Sequence, residues 1–212
     1  ELACKYPGNF ESIITMIKMD IDFGYDDFLN QCHFNNKKVI STFLSYGIEP
    51  EIGCLELLTA HQKHKENIIN IIDNFNVIPN LKCLRNIILW KNDNIDMATK
   101  MLNMGIIPDY TCIPYDDNHE LFDIIVGRLI NKQSLFIDIY DNLPSEIGSI
   151  LFEKLINIGY KPTLELVEKI LLNIQNRRYV DIIMKIDMIL SQKCLECICS
   201  YNENEKYIIK IV

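Results

Sequence analysis

The sequence predicts an all-α chain, an α-solenoid of stacked helix pairs, on three observations. The stretch Gly47-Ile48-Glu49-Pro50-Glu51-Ile52-Gly53-Cys54-Leu55 returns as Asn76-Val77-Ile78-Pro79-Asn80-Leu81-Lys82-Cys83-Leu84 and again as Gly105-Ile106-Ile107-Pro108-Asp109-Tyr110-Thr111-Cys112-Ile113, each start 29 residues after the last. Self-similarity at a period of this size marks stacked supersecondary units. Between the returns, apolar residues fall at helical spacing, and no strand-period stretch or hairpin signal interrupts them.

The elements follow in order. Residues 1–9, with Pro7-Gly8, read as irregular. Ile13, Ile14, Met16, Ile17 and Met19 then mark a helix from Phe10 that ends near Asp20–Asp22, the second helix of an incomplete first repeat. Tyr25-Asp26-Asp27-Phe28-Leu29 opens the next helix with acids beside the positive end of its dipole, and Asn35-Asn36 breaks it. Val39, Ile40, Phe43 and Leu44 make one apolar face of a helix that stops at Gly47, where a left-handed residue is least costly.

The same plan recurs twice. Cys54, Leu55, Leu57 and Leu58 precede a break near His64–Asn67, then Ile68, Ile69, Ile71 and Ile72 run to Asn76, which also tolerates left-handed geometry. Cys83, Leu84, Ile87 and Ile88 precede a break at Asn92-Asp93-Asn94, then Ile95, Met97, Ala98, Met101 and Leu102 run to Gly105. Each proline stands three residues past the stop, where it cannot continue the old helix and pre-sets the start of the new one. Helices of about ten residues cannot bury their apolar faces alone, so each pair must stack on its neighbours.

The fourth unit is disturbed. Pro114-Tyr115-Asp116-Asp117-Asn118-His119-Glu120 inserts where a first helix should run, and a helix restarts around Asn118 to carry Leu121, Phe122, Ile124, Ile125, Leu129 and Ile130. A later copy, Gly159-Tyr160-Lys161-Pro162, keeps glycine and proline but falls out of phase and lacks the cysteine. Further helices are expected over Ser134–Asn142, over Ser145–Asn157 with Ser145 as N-cap, in a pair near Thr163–Gln175 and Tyr179–Leu190, and in a last pair around Lys193–Ser200 and Glu205–Val212. Residues 1–212 thus read as a single helical-repeat domain of six or seven pairs, with regular repeats over 10–112 and irregular repeats with a C-terminal cap over 113–212.

Composition bounds the partners. A net charge of −8 works against a phosphate-tracking surface, and the small basic spots at His61-Gln62-Lys63-His64-Lys65 and Arg177-Arg178 sit near compensating acids. No apolar run reaches the ~18 residues needed to span a bilayer, so no membrane partner is expected. No basic-then-apolar leader opens the chain, although a start at Glu1 suggests that the native N-terminus lies upstream. Eight cysteines would suit a disulfide scaffold in a shorter secreted chain. Three of them share one repeat column, which argues for packing and a reducing, intracellular, cytoplasmic compartment. The abundance of Ile, Asn and Lys has the look of an AT-rich coding genome.

The candidate chemistry is sparse. Cys54, Cys83 and Cys112 lie one stacked unit apart, about 10 Å for packed helices, too far for one metal with bonds of ~2.3 Å. Cys194-Leu195-Glu196-Cys197-Ile198-Cys199 has half of a zinc pattern but no second pair. His61 and His64 lack the zincin spacing and suit the exit of a helix, where cationic or polar groups face its negative end. Asp116, Asp117, His119 and Glu120 resemble a general acid–base cluster, yet capping and dipole roles account for them. No phosphate-binding glycine motif, nucleophile elbow or triad is present, and no cofactor, metal site or enzymatic activity is expected. The insertion, with Tyr110, Tyr115, Asp116 and His119, is expected to be a recognition loop for a protein partner, since aromatics on an irregular projection are typical anchors. Trp90 shares a column with Cys32 and His61, and either lies on the surface as a further anchor or fills a gap between repeats.

The pattern Leu-x-x-Leu, polar break, Ile-Ile-x-x-Leu/Ile-Leu-x-x-Gly-Ile-x-Pro resembles a degenerate ankyrin repeat, over roughly residues 10–112 and most clearly in Val39–Pro50, Ile68–Pro79 and Met97–Pro108. The Thr-Pro-Leu-His turn of that family is missing, and 29 residues fall short of the usual ~33, so its hairpin fingers are expected to be reduced to the Gly-x-x-Pro loops. In composition and in its Leu-x-x-Gly-Ile-x-Pro junctions the chain is similar to the ankyrin-like proteins that large DNA viruses encode. The resemblance implies non-enzymatic protein–protein recognition inside a host cell. A structural subunit of a virion or multi-protein assembly is the alternative. RNA binding, as in the longer and more basic pentatricopeptide repeats, is the second.

Overall fold

The computed structural model describes residues 9–19, 21, 23–90, 94–114, 118–129, 132–172, 177–186 and 190–199, and the described residues are helical, with no strand among them. Among the described residues, thirteen α-helices fall into two compact units. The first unit holds α1 (Phe10–Lys18), α2 (Tyr25–His33), α3 (Lys37–Ser45), α4 (Ile52–Thr59), α5 (Lys65–Asn74), α6 (Leu81–Ile88), α7 (Asn94–Asn103) and α8 (His119–Arg128). The second holds α9 (Lys132–Asn142), α10 (Ser145–Asn157), α11 (Leu164–Leu172), α12 (Arg177–Ile183) and α13 (Gln192–Cys199). The expected helix over Glu205–Val212 and the expected ends at Gln175 and Leu190 lie outside the described residues or at their margin.

In the first unit the helices pair as α2 with α3, α4 with α5 and α6 with α7, and the pairs stack in two rows. First helices pack as α2 on α4 on α6, and second helices as α1 on α3 on α5. Helix α1 therefore takes the place of a second helix, as its sequence implies. Packing is what holds such short helices. In α3, Val39, Ile40 and Phe43 are fully buried and Leu44 nearly so, each worth roughly 1.5–3 kcal/mol of apolar transfer. After the third pair, a 3₁₀ turn at Tyr110–Cys112 packs on α6 where a first helix would lie, and α8 packs on α7.

The stops between units have the local geometry their residues require. Gly47, Asn76, Gly105 and Gly159 all adopt positive φ, at 75°, 55°, 95° and 94°. At Gly47 its own N–H donates to the Leu44 carbonyl and that of Ile48 to Phe43, both at 3.1 Å, the paired bonds of a Schellman close. Gly159 and Tyr160 make the same two bonds, to Ile156 and Leu155, so the out-of-phase copy ends its helix in the same way. The four prolines that follow, Pro50, Pro79, Pro108 and Pro162, are buried, while the residue before each is exposed.

Helix starts are capped from the side chains of the break. Asn36 Oδ1 accepts from the Val39 N–H and Asn80 Oδ1 from that of Cys83, each such cap contributing about 1 kcal/mol. One expected cap is corrected: Ser145 is the first helical residue of α10, and Pro144 stands before it with its carbonyl accepting from Gly148 N at 2.8 Å. The proline's ψ of 139° keeps it outside the helix, and Ser145, already inside, has no cap role.

In the second unit α9 packs on α10, α10 on α12, and α11 on both α12 and α13. Its core is aromatic. Phe136 and Phe152 meet edge to face at 4.6 Å, and Tyr179 meets Phe152 and Tyr140 at 5.2 Å, within the range such pairs prefer.

Candidate protein-docking edge

The Gly-x-x-Pro loops of the first unit expose apolar side chains in register. The residue before proline is 70% exposed at Ile78 and 59% at Ile107. Tyr46 and Met104, each just before the left-handed stop, are exposed, and so is Ile52 at the start of α4. Phe75, Leu81 and Tyr110 occupy the corresponding columns and are half-buried. Because first helices stack on first helices and second on second, equivalent loop positions recur at about the helix spacing of 8–10 Å. Loop residues are usually polar, and repeated exposed isoleucines there are the kind of surface that marks interaction sites.

Side-chain bonds between successive repeats support this edge. In equivalent columns, Asn80 Nδ2 donates to Glu56 Oε1 at 2.6 Å, and Arg85 pairs with Asp109. The residue opening each first helix is thus tied to the preceding one, with the donor and acceptor roles exchanged between the two. Lys82 also reaches Glu56, at 2.7 Å, and holds its carboxyl below the ordinary range. Burial raises the Asp109 carboxyl, but hydrogen bonds from Thr111 and Arg85 outweigh it and leave it lowered. The edge keeps exposed acids at Glu49 and Glu51, while its bases Lys82 and Arg85 are already paired.

The expected contact residues fare differently. Tyr110 is half-buried in the 3₁₀ turn on this edge, and His119 is exposed at the start of α8. Tyr115 and Asp116 lie outside the described residues, as does Asp117. Trp90 is corrected as an anchor: it is 5% exposed, and its indole N–H donates to the Thr59 carbonyl at 2.9 Å. An indole buried at the end of α6 finds its one acceptor on α4, so it joins consecutive repeats and offers no face to a partner.

The histidines divide as well. His61 is exposed, but His64 is fully buried, with Nε2 against Asn35 Oδ1. Burial first, then the charges of Lys63, His61 and Lys37, push its imidazole down to about 4, so it is neutral at pH 7 and does not serve as a cation at a helix exit. Cys54, Cys83 and Cys112 are buried. Cys194 is buried at the start of α13, where Ser191 Oγ accepts from its N–H, and the side chains of Cys197 and Cys199 lie outside the described residues. Among the described residues no three His, Cys, Asp or Glu side chains converge as metal ligands, and no helix is long and apolar enough to cross a membrane. Ile78 and Ile107 were not singled out by sequence reasoning, although their signal was there: apolar residues in a turn column that usually holds a polar one.

In comparisons with known proteins, the chain matches no family model and no curated sequence.

Proposed function

We propose that this chain is a non-enzymatic protein–protein interaction module, an ankyrin-like stack that displays its Gly-x-x-Pro edge to a protein partner inside a host cell. The observation that carries the reading is the register of exposed apolar side chains, Ile78 and Ile107 before successive prolines, flanked by Tyr46, Ile52 and Met104. Such side chains lose water on docking at about 25 cal/mol per Å², and the acids Glu49 and Glu51 beside them suit a partner segment that brings apolar anchors and basic residues. Its likeness to the ankyrin-like proteins of large DNA viruses rests on composition and the repeat junctions and supplies the host-cell setting.

The same isoleucines favour a second reading, a subunit of a virion or other lasting assembly, because aliphatic strips are commoner in permanent interfaces than in transient ones. RNA binding draws least support: the net charge is −8, and lysines 37, 38, 82, 100, 169 and 185 each lie within 3 Å of a carboxylate.

The test is affinity capture from expressing cells, with salt washes and nuclease, comparing the native chain with the Ile78→Asp, Ile107→Asp double variant and with Tyr110→Ala. A stoichiometric protein retained by the native chain and lost from the folded double variant supports the module. Nuclease-sensitive recovery of RNA, or equal recovery by both chains, overturns it. Recovery of large multi-subunit particles transfers support to the assembly reading.

A further inference from the structure

In the loops that end at Pro50, Pro79, Pro108 and Pro162, the residue before proline is Glu49, Ile78, Ile107 and Lys161 in turn. The first of these loops, in the first unit, and the last, in the second unit, have the same local shape and opposite charge. Each begins with an exposed apolar residue that caps the preceding helix: Tyr46 after α3, 49% exposed, and Ile158 after α10, 46% exposed. Each turns through a left-handed glycine, Gly47 or Gly159, with the same pair of closing bonds. Each ends on an exposed apolar residue that opens the next helix: Ile52 of α4, 36% exposed, and Leu164 of α11, 40% exposed.

Midway between the two apolar residues stands an exposed charge, Glu49 in the first loop and Lys161 in the last. Glu51 adds a second exposed acid to the first loop, where the last has Thr163. Among the described residues, Glu49, Glu51 and Lys161 form no ion pair within the chain. Glu165, the acid that follows Lys161, stands in the first turn of α11, beside the positive end of that helix.

We propose that the first loop docks on the last loop of a second copy of this chain, with Glu49 against Lys161 at the centre and an apolar pair on either side. The inference rests on the Gly-x-x-Pro edge being a docking surface. Because the charge lies midway in both loops, two loops of this one shape fit antiparallel, and Tyr46 then faces Leu164 while Ile52 faces Ile158. The apolar pairs exclude water from the central charges, and the charges select which loops meet. First on first would set Glu49 against Glu49, and last on last would set Lys161 against Lys161. The contact is therefore head to tail, closing into a ring or running on as an open chain. One loop against one loop lies at the small end of specific interfaces, so the association is weak and reversible.

The test is sedimentation equilibrium of the full chain from low to high micromolar concentration, at low and raised salt. The average mass of the native chain should rise with concentration and fall as salt screens the central pair. Lys161→Glu, and Glu49→Lys together with Glu51→Lys, should each weaken association by about tenfold or more, since each leaves only like charges to meet. An equimolar mixture of these two variants should associate as the native chain does, because each finds loops of opposite charge on the other. Melting curves identify a variant that fails to fold, and Lys161→Gln then takes the place of Lys161→Glu. A native chain that stays monomeric, an association that the Lys161 variants leave unchanged, or a mixture of folded variants no better than either alone overturns the proposal. A monomeric native chain that still captures a protein lost from the Ile78→Asp, Ile107→Asp variant overturns this contact and leaves the docking edge standing. Failure of both overturns the two together.

Discussion

The Tyr179 hydroxyl of α12 stands directly over Gly148 of α10, so close that a β-carbon on Gly148 would lie 2.1 Å from it. The ring cannot give way easily, because Phe152 and Tyr140 pack edge to face against it and it is 1% exposed. The Ile139 carbonyl closes the other side at 3.3 Å. Gly148→Ala should therefore separate α10 from α12 at a cost of about 1–3 kcal/mol, the usual range for overpacking. Urea denaturation checks this, and an unchanged midpoint would mean that the helices have room the geometry denies.

Among the described residues the same hydroxyl has no hydrogen-bond partner. Tyr179→Phe removes a buried group that nothing satisfies and should be neutral or stabilising by up to about 1–2 kcal/mol. Burial, with the neighbouring Tyr140, pushes the phenol up to about 12 from 10. A raised folded-state value means that the unfolded chain gives up this proton first. The contribution is full below pH 10 and is lost as pH rises toward 12. Melting temperature followed over that window should fall more steeply for the native chain than for Tyr179→Phe.

His64 reverses the sign. Its value of about 4 lies below the ordinary 6.5, so the unfolded chain binds the proton first. Stability is full above pH 6.5 and is lost as pH falls toward 4, by roughly 3 kcal/mol. Among the described residues the buried Nδ1 has no partner, and Nε2 faces Asn35, so protonation places a second donor where none of them accepts it. His64→Gln, which keeps a donor for Asn35 without the titration, should flatten the acid limb of the stability profile. An unchanged limb would place the acid sensitivity elsewhere.

Trp90 is the chain's one tryptophan, which makes the α4–α6 contact visible by itself. Its buried indole should emit at short wavelength in the native state and be poorly quenched by iodide. Trp90→Phe leaves the Thr59 carbonyl without its donor and should cost about 1–3 kcal/mol. If emission from the native chain is already that of a solvated indole, the Trp90–Thr59 bond does not form in solution.

What the sequence made legible was periodic, and what escaped it was long-range. The left-handed stops at Gly47, Asn76, Gly105 and Gly159 and the second-helix place of α1 follow from residue type at a fixed spacing, because the local backbone demands them. The side taken by Trp90 does not, since its acceptor lies 31 residues away and its column mates Cys32 and His61 say nothing about indole N–H bonds. His64 likewise reads as a surface residue until Asn35, one repeat earlier, is found beside it. Of the docking edge, the reduced Gly-x-x-Pro loops were legible in the repeat, but the exposure of the residue before each proline beside the burial of the proline itself does not follow from spacing.

That distinction supplies the last expectation. Ile78 is 70% exposed and Pro79 is buried, although the two are adjacent in one loop. Substitution of an exposed loop side chain usually changes stability by no more than about 0.5 kcal/mol, so Ile78→Asp and Ile107→Asp should melt like the native chain. Pro79→Ala loses buried contacts and frees the unfolded backbone, and should cost about 1 kcal/mol or more. Thermal melts of the three variants decide the matter. If the aspartates destabilise as much as the alanine does, the isoleucines belong to the core and the edge is not a surface at all. If they do not, while partner binding in the capture experiment is lost, their effect is confined to recognition.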